Sequence, residues 1–164
     1  MKLIIALLSV LIFTSCHNQR PKIKTGLEGK PMPQIDLLSI DSTTHFNVNS
    51  IKSNRPTILF AFEPWCPYCN AQTKSIIANI KSLKGIDIYF LTNSAYPGFK
   101  EFYNKYELQK YPTIKAGIDE NYSFAKFFNM SRVPLMAIYD QNKKLKELLT
   151  GKNYISTIKE IALN

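Results

Sequence analysis

Two cysteines, Cys66 and Cys69, stand three residues apart in the sequence Trp65-Cys66-Pro67-Tyr68-Cys69. Thiols at this spacing can close a small disulfide ring and open it again, so the pair can exchange electrons with another disulfide. Structural disulfides of small exported domains usually come as several pairs of distant cysteines, and one bond across so short a loop removes little unfolded-state entropy. The spacing therefore favours thiol–disulfide exchange.

The segments on either side would place the cysteines at a turn from a strand to a helix. The apolar run 57–62 indicates a buried strand, and residues 70–83 carry isoleucine and leucine at helical spacing. Cys66 would then lie at a helix N-terminus, where unpaired N–H groups and the positive end of the helix dipole stabilise a thiolate. Cys69 would follow one turn later on the same helix face, as the resolving thiol.

The first fifteen residues are typical of a secretory signal. An apolar run over residues 3–13 follows a single lysine, and two small polar residues precede Cys16. The run is too short to cross a bilayer comfortably. The segment also resembles a bacterial lipobox, which implies cleavage before Cys16, lipidation of its sulfur and membrane anchoring. Phe13 replaces the usual leucine, and an ordinary signal peptide with a spare thiol at Cys16 is the alternative.

The expected organisation is a signal peptide over residues 1–15, a lipidated cysteine and flexible tether over 16–30, and one domain over 31–164. With 45% hydrophobic and 20% charged residues, a chain of 164 residues can form a core. The net charge of +9 comes from basic residues scattered as singles and pairs, which does not indicate nucleic-acid binding. Attraction to an anionic membrane surface fits the N-terminus better.

The periodicity of the remaining sequence predicts an α/β domain. Strands are expected at 34–40, 45–48, 57–62, 86–91, 111–118, 134–139 and 145–149. Helices are expected at 70–83, from Pro97 onward, at 122–129 and at 155–163. The first two strands would form a hairpin, the next two a parallel crossover unit, and the last two an antiparallel hairpin.

This order of elements, with Trp-Cys-x-x-Cys at the strand-to-helix turn, resembles the thioredoxin fold. The opening segment 31–62, the insert 97–118 and the turn Ser131-Arg132-Val133-Pro134 resemble the TlpA-like group of membrane-anchored bacterial envelope proteins. The resemblance covers residues 31–163. It implies a three-layer sandwich, with a central mixed sheet, an N-terminal β-hairpin and helices on both faces.

The resemblance also implies roles for individual residues. Cys66 matches the exposed nucleophile, Cys69 the buried resolving cysteine, and Trp65 the tryptophan that packs beside the active-site loop. Pro134 matches a proline that is cis in this family and lies across from the two sulfurs. The backbone of Val133 would then pair with an incoming client strand.

Two departures from the family pattern bear on the chemistry. Many thioredoxins carry a buried acid where this chain has Phe60, so Glu63 is the nearest acid in sequence for a proton relay to Cys69, unless it is only a solvated charge. The dipeptide Pro67-Tyr68 is that of glutaredoxins, which lack the opening hairpin, so glutathione binding is not expected. This dipeptide affects the reduction potential of the Cys66–Cys69 pair. Potentials in the family lie between about −270 and −120 mV, so the sequence does not decide whether the pair acts as a reductant or an oxidant.

The resemblance favours reduction of client disulfides, including those of apocytochromes before haem attachment. We expect a periplasm-facing monomer that is lipid-anchored to the inner or outer membrane. An upstream membrane electron donor would serve it, and it needs no bound cofactor.

The rival hypothesis is a copper-chaperone-like module that binds Cu(I) through both thiolates and an outlying ligand such as His45 or Met136. Related copper proteins space the cysteines one residue wider and carry a late histidine, and neither feature is present. Zinc needs more ligands than the pair offers, since the only histidines are His17 and His45. We therefore expect no metal site.

Overall fold

The computed structural model describes residues 22–50 and 53–164. The signal-like segment and Cys16 lie outside the described residues. The strands are β1 (Asp36–Leu38), β2 (His45–Asn47), β3 (Thr57–Ala61), β4 (Asp87–Thr92), β5 (Ile114–Ile118), β6 (Leu135–Tyr139) and β7 (Leu145–Thr150). The helices are α1 (Pro67–Ala78), α2 (Tyr96–Lys105), α3 (Ser123–Phe128) and α4 (Ile155–Leu163). Short 3₁₀ turns lie at Ile80–Leu83 and Leu108–Lys110.

The strands form one mixed sheet in the order β2-β1-β5-β4-β3-β6-β7. Strands β3, β4 and β5 are parallel, whereas β6 and β7 on one side and β1 and β2 on the other are antiparallel to their neighbours. The α/β class, the central mixed sheet and the N-terminal hairpin are thus confirmed.

Strand β5 is shorter than the sequence predicts. The N–H of Tyr111 donates to Leu108 O at 3.2 Å and the N–H of Ile114 donates to Tyr111 O at 2.9 Å, so residues 111–113 form turns. Pro112 lacks a backbone N–H for a sheet ladder. The β5 ladder accordingly begins only at Ile114.

Alternation along the strands gives the sheet two buried faces. Side chains of α1, α2 and α4 cover one face, and their buried members include Ile76, Phe99, Phe102, Ile158 and Ala162. Phe124 of α3 and residues of the opening segment, among them Met32 and Ile35, cover the other face. Helices therefore lie on both faces, as predicted. No helix within the described ranges is long and apolar enough to cross a membrane.

Residues 22–32, the N-terminal segment, run along the free edge of β7. Ile23 forms an antiparallel bridge with Leu148. Gly29 N donates to Leu145 O at 2.8 Å, and Leu145 N donates to Lys30 O at 2.9 Å. The sequence predicts a tether as far as residue 30, whereas in the structure contacts with the sheet begin before residue 31.

Candidate active site

The cysteine pair lies where β3 gives way to α1. Cys66 is the N-cap of α1, with φ −69° and ψ 119°, and its Sγ accepts the N–H of Cys69 at 3.2 Å. Pro67 occupies the first turn, where its missing N–H leaves no helical bond unmade. An N–H directed at Sγ from a helix start is arranged to stabilise negative charge on that sulfur. The sequence-predicted placement of Cys66 is present in the structure.

Cys69 lies in the first turn of α1. It has no exposed surface and belongs to the core cluster that contains Phe62 and Ile76. Burial raises the pKa of the Cys69 thiol far above its ordinary value, and the hydrogen bond with Cys66 adds to the rise. Both cysteines are free thiols. Cys69 therefore keeps its proton at neutral pH and needs a base before it can act as a nucleophile.

Two aromatic side chains project from the turn into solvent. Trp65 is 67% exposed and Tyr68 is 66% exposed. The Trp65 indole also rests on α2 at Gly98, where an added Cβ would overlap the ring. Gly98 is thus the place on α2 that accommodates Trp65, and its role is invisible in the sequence because the two residues are distant along the chain.

The peptide bond between Val133 and Pro134 is cis, as the family resemblance implies. Leu135 pairs with Ala61, the last residue of β3, so Pro134 lies at the end of the sheet that carries the cysteine turn. The Gly151 N–H donates to Pro134 O at 2.9 Å. Val133 packs against the core cluster that contains Cys69.

Glu63 is not a freely solvated carboxylate. Its Oε2 accepts a hydrogen bond from Ser94 Oγ, and Ser94 is nearly buried. A hydrogen bond from the Glu63 backbone to Cys69 opposes the rise in the Cys69 pKa, whereas the charge of the Glu63 carboxylate adds to that rise. Sequence reasoning missed Ser94, although polar residues just beyond neighbouring parallel strands meet at one sheet edge.

Asn70 was also missed, and it makes more side-chain hydrogen bonds than its neighbours in the turn. Its Nδ2 donates to Pro64 O at 2.8 Å and to Cys66 O at 2.9 Å. Its Oδ1 accepts from Lys105 Nζ at 3.0 Å and from Tyr106 Oη at 2.5 Å. Asn70 thereby joins the cysteine turn to the C-terminal end of α2.

The structure also gives the positions of the other residues named from the sequence, Phe60, Met136 and His45. Phe60 is fully buried and pairs in register with Met136, which is itself buried in β6. His45 Nε2 lies 3.0 Å from Glu120 Oε2. Across residues 22–50 and 53–164, no three or more His, Cys, Asp or Glu side chains are grouped to hold a metal ion.

Several solved structures share this fold. DsbF of Mycobacterium tuberculosis is 18% identical, with a TM-score of 0.65 over 85% of this chain and 96% of its own. A secreted M. tuberculosis disulfide oxidoreductase homologous to Escherichia coli DsbE is 15% identical, with a TM-score of 0.65 over 80% and 96% of the two chains. The thioredoxin domain of a thiol-disulfide oxidoreductase from Bacteroides vulgatus is 13% identical, with a TM-score of 0.63 over 81% and 93%.

The TM-scores of these matches show that the chain shares the thioredoxin-like fold. The low sequence identities carry no conclusion about the activity of this chain. No curated protein matches the sequence. The Redoxin family matches residues 27–162, a span that includes the opening hairpin, the cysteine turn and the cis-proline. The chain belongs to the Redoxin family.

Proposed function

We propose that the protein is a thiol–disulfide oxidoreductase in which Cys66 is the nucleophile and Cys69 the resolving thiol. One observation carries the proposal, which is the contrast between the two sulfurs. Cys66 is a partly exposed residue at a helix start whose Sγ accepts an N–H, while Cys69 in the following turn is buried. This arrangement suits attack from outside and release from inside.

The proposed reaction begins when the Cys66 thiolate attacks one sulfur of a client disulfide. The client S–S bond breaks, a mixed disulfide forms, and the second client sulfur leaves as a thiolate. Cys69 then loses its proton and attacks Cys66 Sγ, which breaks the mixed disulfide and releases the first client sulfur. Two electrons pass to the client, the Cys66–Cys69 pair becomes a disulfide, and a dithiol donor must reduce it again.

The proposed client site is the surface between Trp65, Tyr68 and the cis-proline turn. A client strand would pair with the backbone of Val133 beside Pro134, since exposed backbone groups can bind an extended peptide. The exposed rings of Trp65 and Tyr68 would supply apolar contact area on the other side of the sulfurs.

Glu63 is the proposed acceptor of the Cys69 proton. The support is its position, because its backbone hydrogen-bonds Cys69 and its carboxylate is held by Ser94. The path from Cys69 Sγ to the carboxylate would use a water molecule, as is common where a relay lacks direct contact. In many thioredoxins a buried acid occupies the position of Phe60, and the Phe60 side chain cannot accept a proton.

We further propose a TlpA-like role in the cell envelope, with lipid on Cys16 and reduction of client disulfides as the physiological direction. The sequence of residues 1–16 supports the location, and the fold shared with secreted disulfide oxidoreductases is consistent with it. Apocytochrome disulfides, reduced before haem attachment, are one proposed client class, and a membrane dithiol protein is the proposed electron donor.

The test uses the full chain in detergent with insulin and dithiothreitol. Wild type should accelerate insulin reduction, and Cys66→Ser should abolish this activity. Pre-reduced Cys69→Ser, incubated with insulin after removal of dithiothreitol, should accumulate mixed disulfides because attack occurs without resolution. Cys16→Ala, the matched cysteine control, should keep full activity but lose incorporation of labelled palmitate in cells. Full turnover by Cys66→Ser would remove Cys66 as the nucleophile, and palmitate on Cys16→Ala would remove Cys16 as the lipid site.

A further inference from the structure

The carbonyl groups of the cysteine turn are held by one side chain, that of Asn70. Pro64 is buried, and its carbonyl accepts Asn70 Nδ2 at 2.8 Å. The Cys66 carbonyl accepts twice from this residue, from the backbone N–H at 3.0 Å and from Nδ2 at 2.9 Å. A buried carbonyl without a partner is costly, so these bonds restrict where the turn can lie.

The other end of the Asn70 amide is fixed to α2. Oδ1 accepts from Tyr106 Oη at 2.5 Å and from Lys105 Nζ at 3.0 Å. The Tyr106 ring is buried against Phe102, with centroids 4.7 Å apart, and Phe102 stacks on Phe62 at 4.2 Å. Asn70 is therefore attached to a packed part of the core, and all of its amide's hydrogen-bonding directions are occupied.

We propose that Asn70 is a positioning residue for Cys66. The inference rests on the proposed thiol–disulfide function of this site. Cys66 Sγ accepts the Cys69 N–H only while Cys66 keeps its N-cap conformation, and Asn70 holds the Cys66 carbonyl and the turn before it. The side chain thus sets how well the reduced sulfur is stabilised, without touching the sulfur itself.

Loss of the Asn70 amide should weaken the bond to Cys66 Sγ. A hydrogen bond of this kind contributes about 0.5 to 1.5 kcal/mol, which corresponds to a factor of about two to ten. The reduced form would lose this stabilisation, whereas the disulfide form is closed by its covalent bond. Equilibrium with glutathione should therefore move toward the disulfide, and Cys66 should react more slowly as a nucleophile.

The experiment uses the full chain with Cys16→Ala as background, so that only two thiols remain. Asn70→Ala should slow the reaction of Cys66 with iodoacetamide at pH 7 by about two- to fourfold, because a less stabilised thiolate is scarcer but also more nucleophilic. The glutathione equilibrium constant of this variant should shift about two- to tenfold toward the disulfide, which is about 9 to 30 mV toward a more reducing couple. Tyr106→Phe, which removes one anchor and leaves Lys105, should shift both quantities about twofold in the same direction.

Asn79→Ala is the matched control, because Asn79 is an exposed asparagine at the end of the same helix and its side-chain amide donates to Ser75 O at 2.9 Å, away from the cysteine turn. It should leave both quantities at their wild-type values. Wild-type reactivity and equilibrium in Asn70→Ala would overturn the inference; should that variant not fold, wild-type values in Tyr106→Phe would do so. These measurements need no client, so failure of insulin reduction by wild type would count against the proposed function alone.

Discussion

Cys66 and Cys69 are the same side chain three residues apart, yet they lie on two unlike sides of one turn. The outer side consists of the exposed Trp65, Pro67 and Tyr68 and the half-buried Cys66, and it presents a sulfur with an N–H directed at it. The inner side, made of Phe62 and Cys69, is enclosed in the core. Because the two side chains are chemically identical, their different burial and hydrogen bonding account for the different roles proposed for the two cysteines.

The helix that follows the turn produces this division. The buried residues of α1 are Cys69, Gln72, Thr73 and Ile76, which follow the i, i+3, i+4, i+7 spacing of one helix face. Cys66 precedes the first turn as the N-cap and so remains at the surface. A two-residue spacer thus suffices to place one thiol outside and one inside.

The largest expected effect comes from breaking the inner side. Phe62→Ala should lower the free energy of unfolding by about 3 to 5 kcal/mol, because Phe62 is fully buried and packs on Phe102. Tyr68→Ala, an exposed aromatic of the same turn, should change it by less than about 0.5 kcal/mol. Urea denaturation followed by circular dichroism measures both. Similar losses in the two variants would contradict the division into an inner and an outer side.

A second expectation concerns the proton that the inner thiol retains. Because the folded-state pKa of Cys69 is raised, the folded protein keeps this proton while the unfolded chain loses it above about pH 8.5. The resulting stabilisation is complete below that pH and is lost as pH rises. Reduced wild type should lose about 1.5 kcal/mol relative to Cys69→Ala between pH 8.5 and 10.

Guanidinium denaturation under a strong reductant, repeated across this range, gives the comparison. Burial also raises the pKa values of Tyr89 and Tyr139 above the ordinary value near 10, so these tyrosines begin to add a similar loss only near pH 10, and that loss is common to both proteins. Parallel stability curves for the two proteins would show that Cys69 does not keep its proton in the folded state.

Gly98→Ala should have the smallest effect on stability, but it should change the position of Trp65 on the outer side of the turn. The added methyl group would displace the Trp65 ring, while alanine favours the helix by about 1 kcal/mol over glycine. Stability should therefore change by less than about 1 kcal/mol. Emission of Trp65, the single tryptophan, should shift, and insulin turnover should fall.

Asn104→Ala tests whether any change on α2 has this result. Asn104 is exposed on the same helix, and its substitution should leave both emission and turnover unchanged. An unshifted emission spectrum in Gly98→Ala would mean that Trp65 does not rest on α2 in solution.

Sequence periodicity was sufficient to locate the strands and helices and to place Cys66 at a helix start, because these features depend on neighbouring residues. The cis bond before Pro134 came only from family resemblance. Ser94, Asn70 and Gly98 were not found, since each acts through contacts between elements that are distant in sequence. The spacing of hydrophobic residues also does not indicate the turns at residues 111–113, which is why β5 is shorter than predicted.

The N-terminal segment along β7 has a consequence for how the chain is made. An uncovered sheet edge is a template on which another polypeptide can pair and start aggregation. Ile23 precedes its partner Leu148 by most of the domain, so the segment is synthesised well before the strand it covers. The cover is therefore already available when β7 has been synthesised, so the β7 edge can be paired within the chain as soon as it forms.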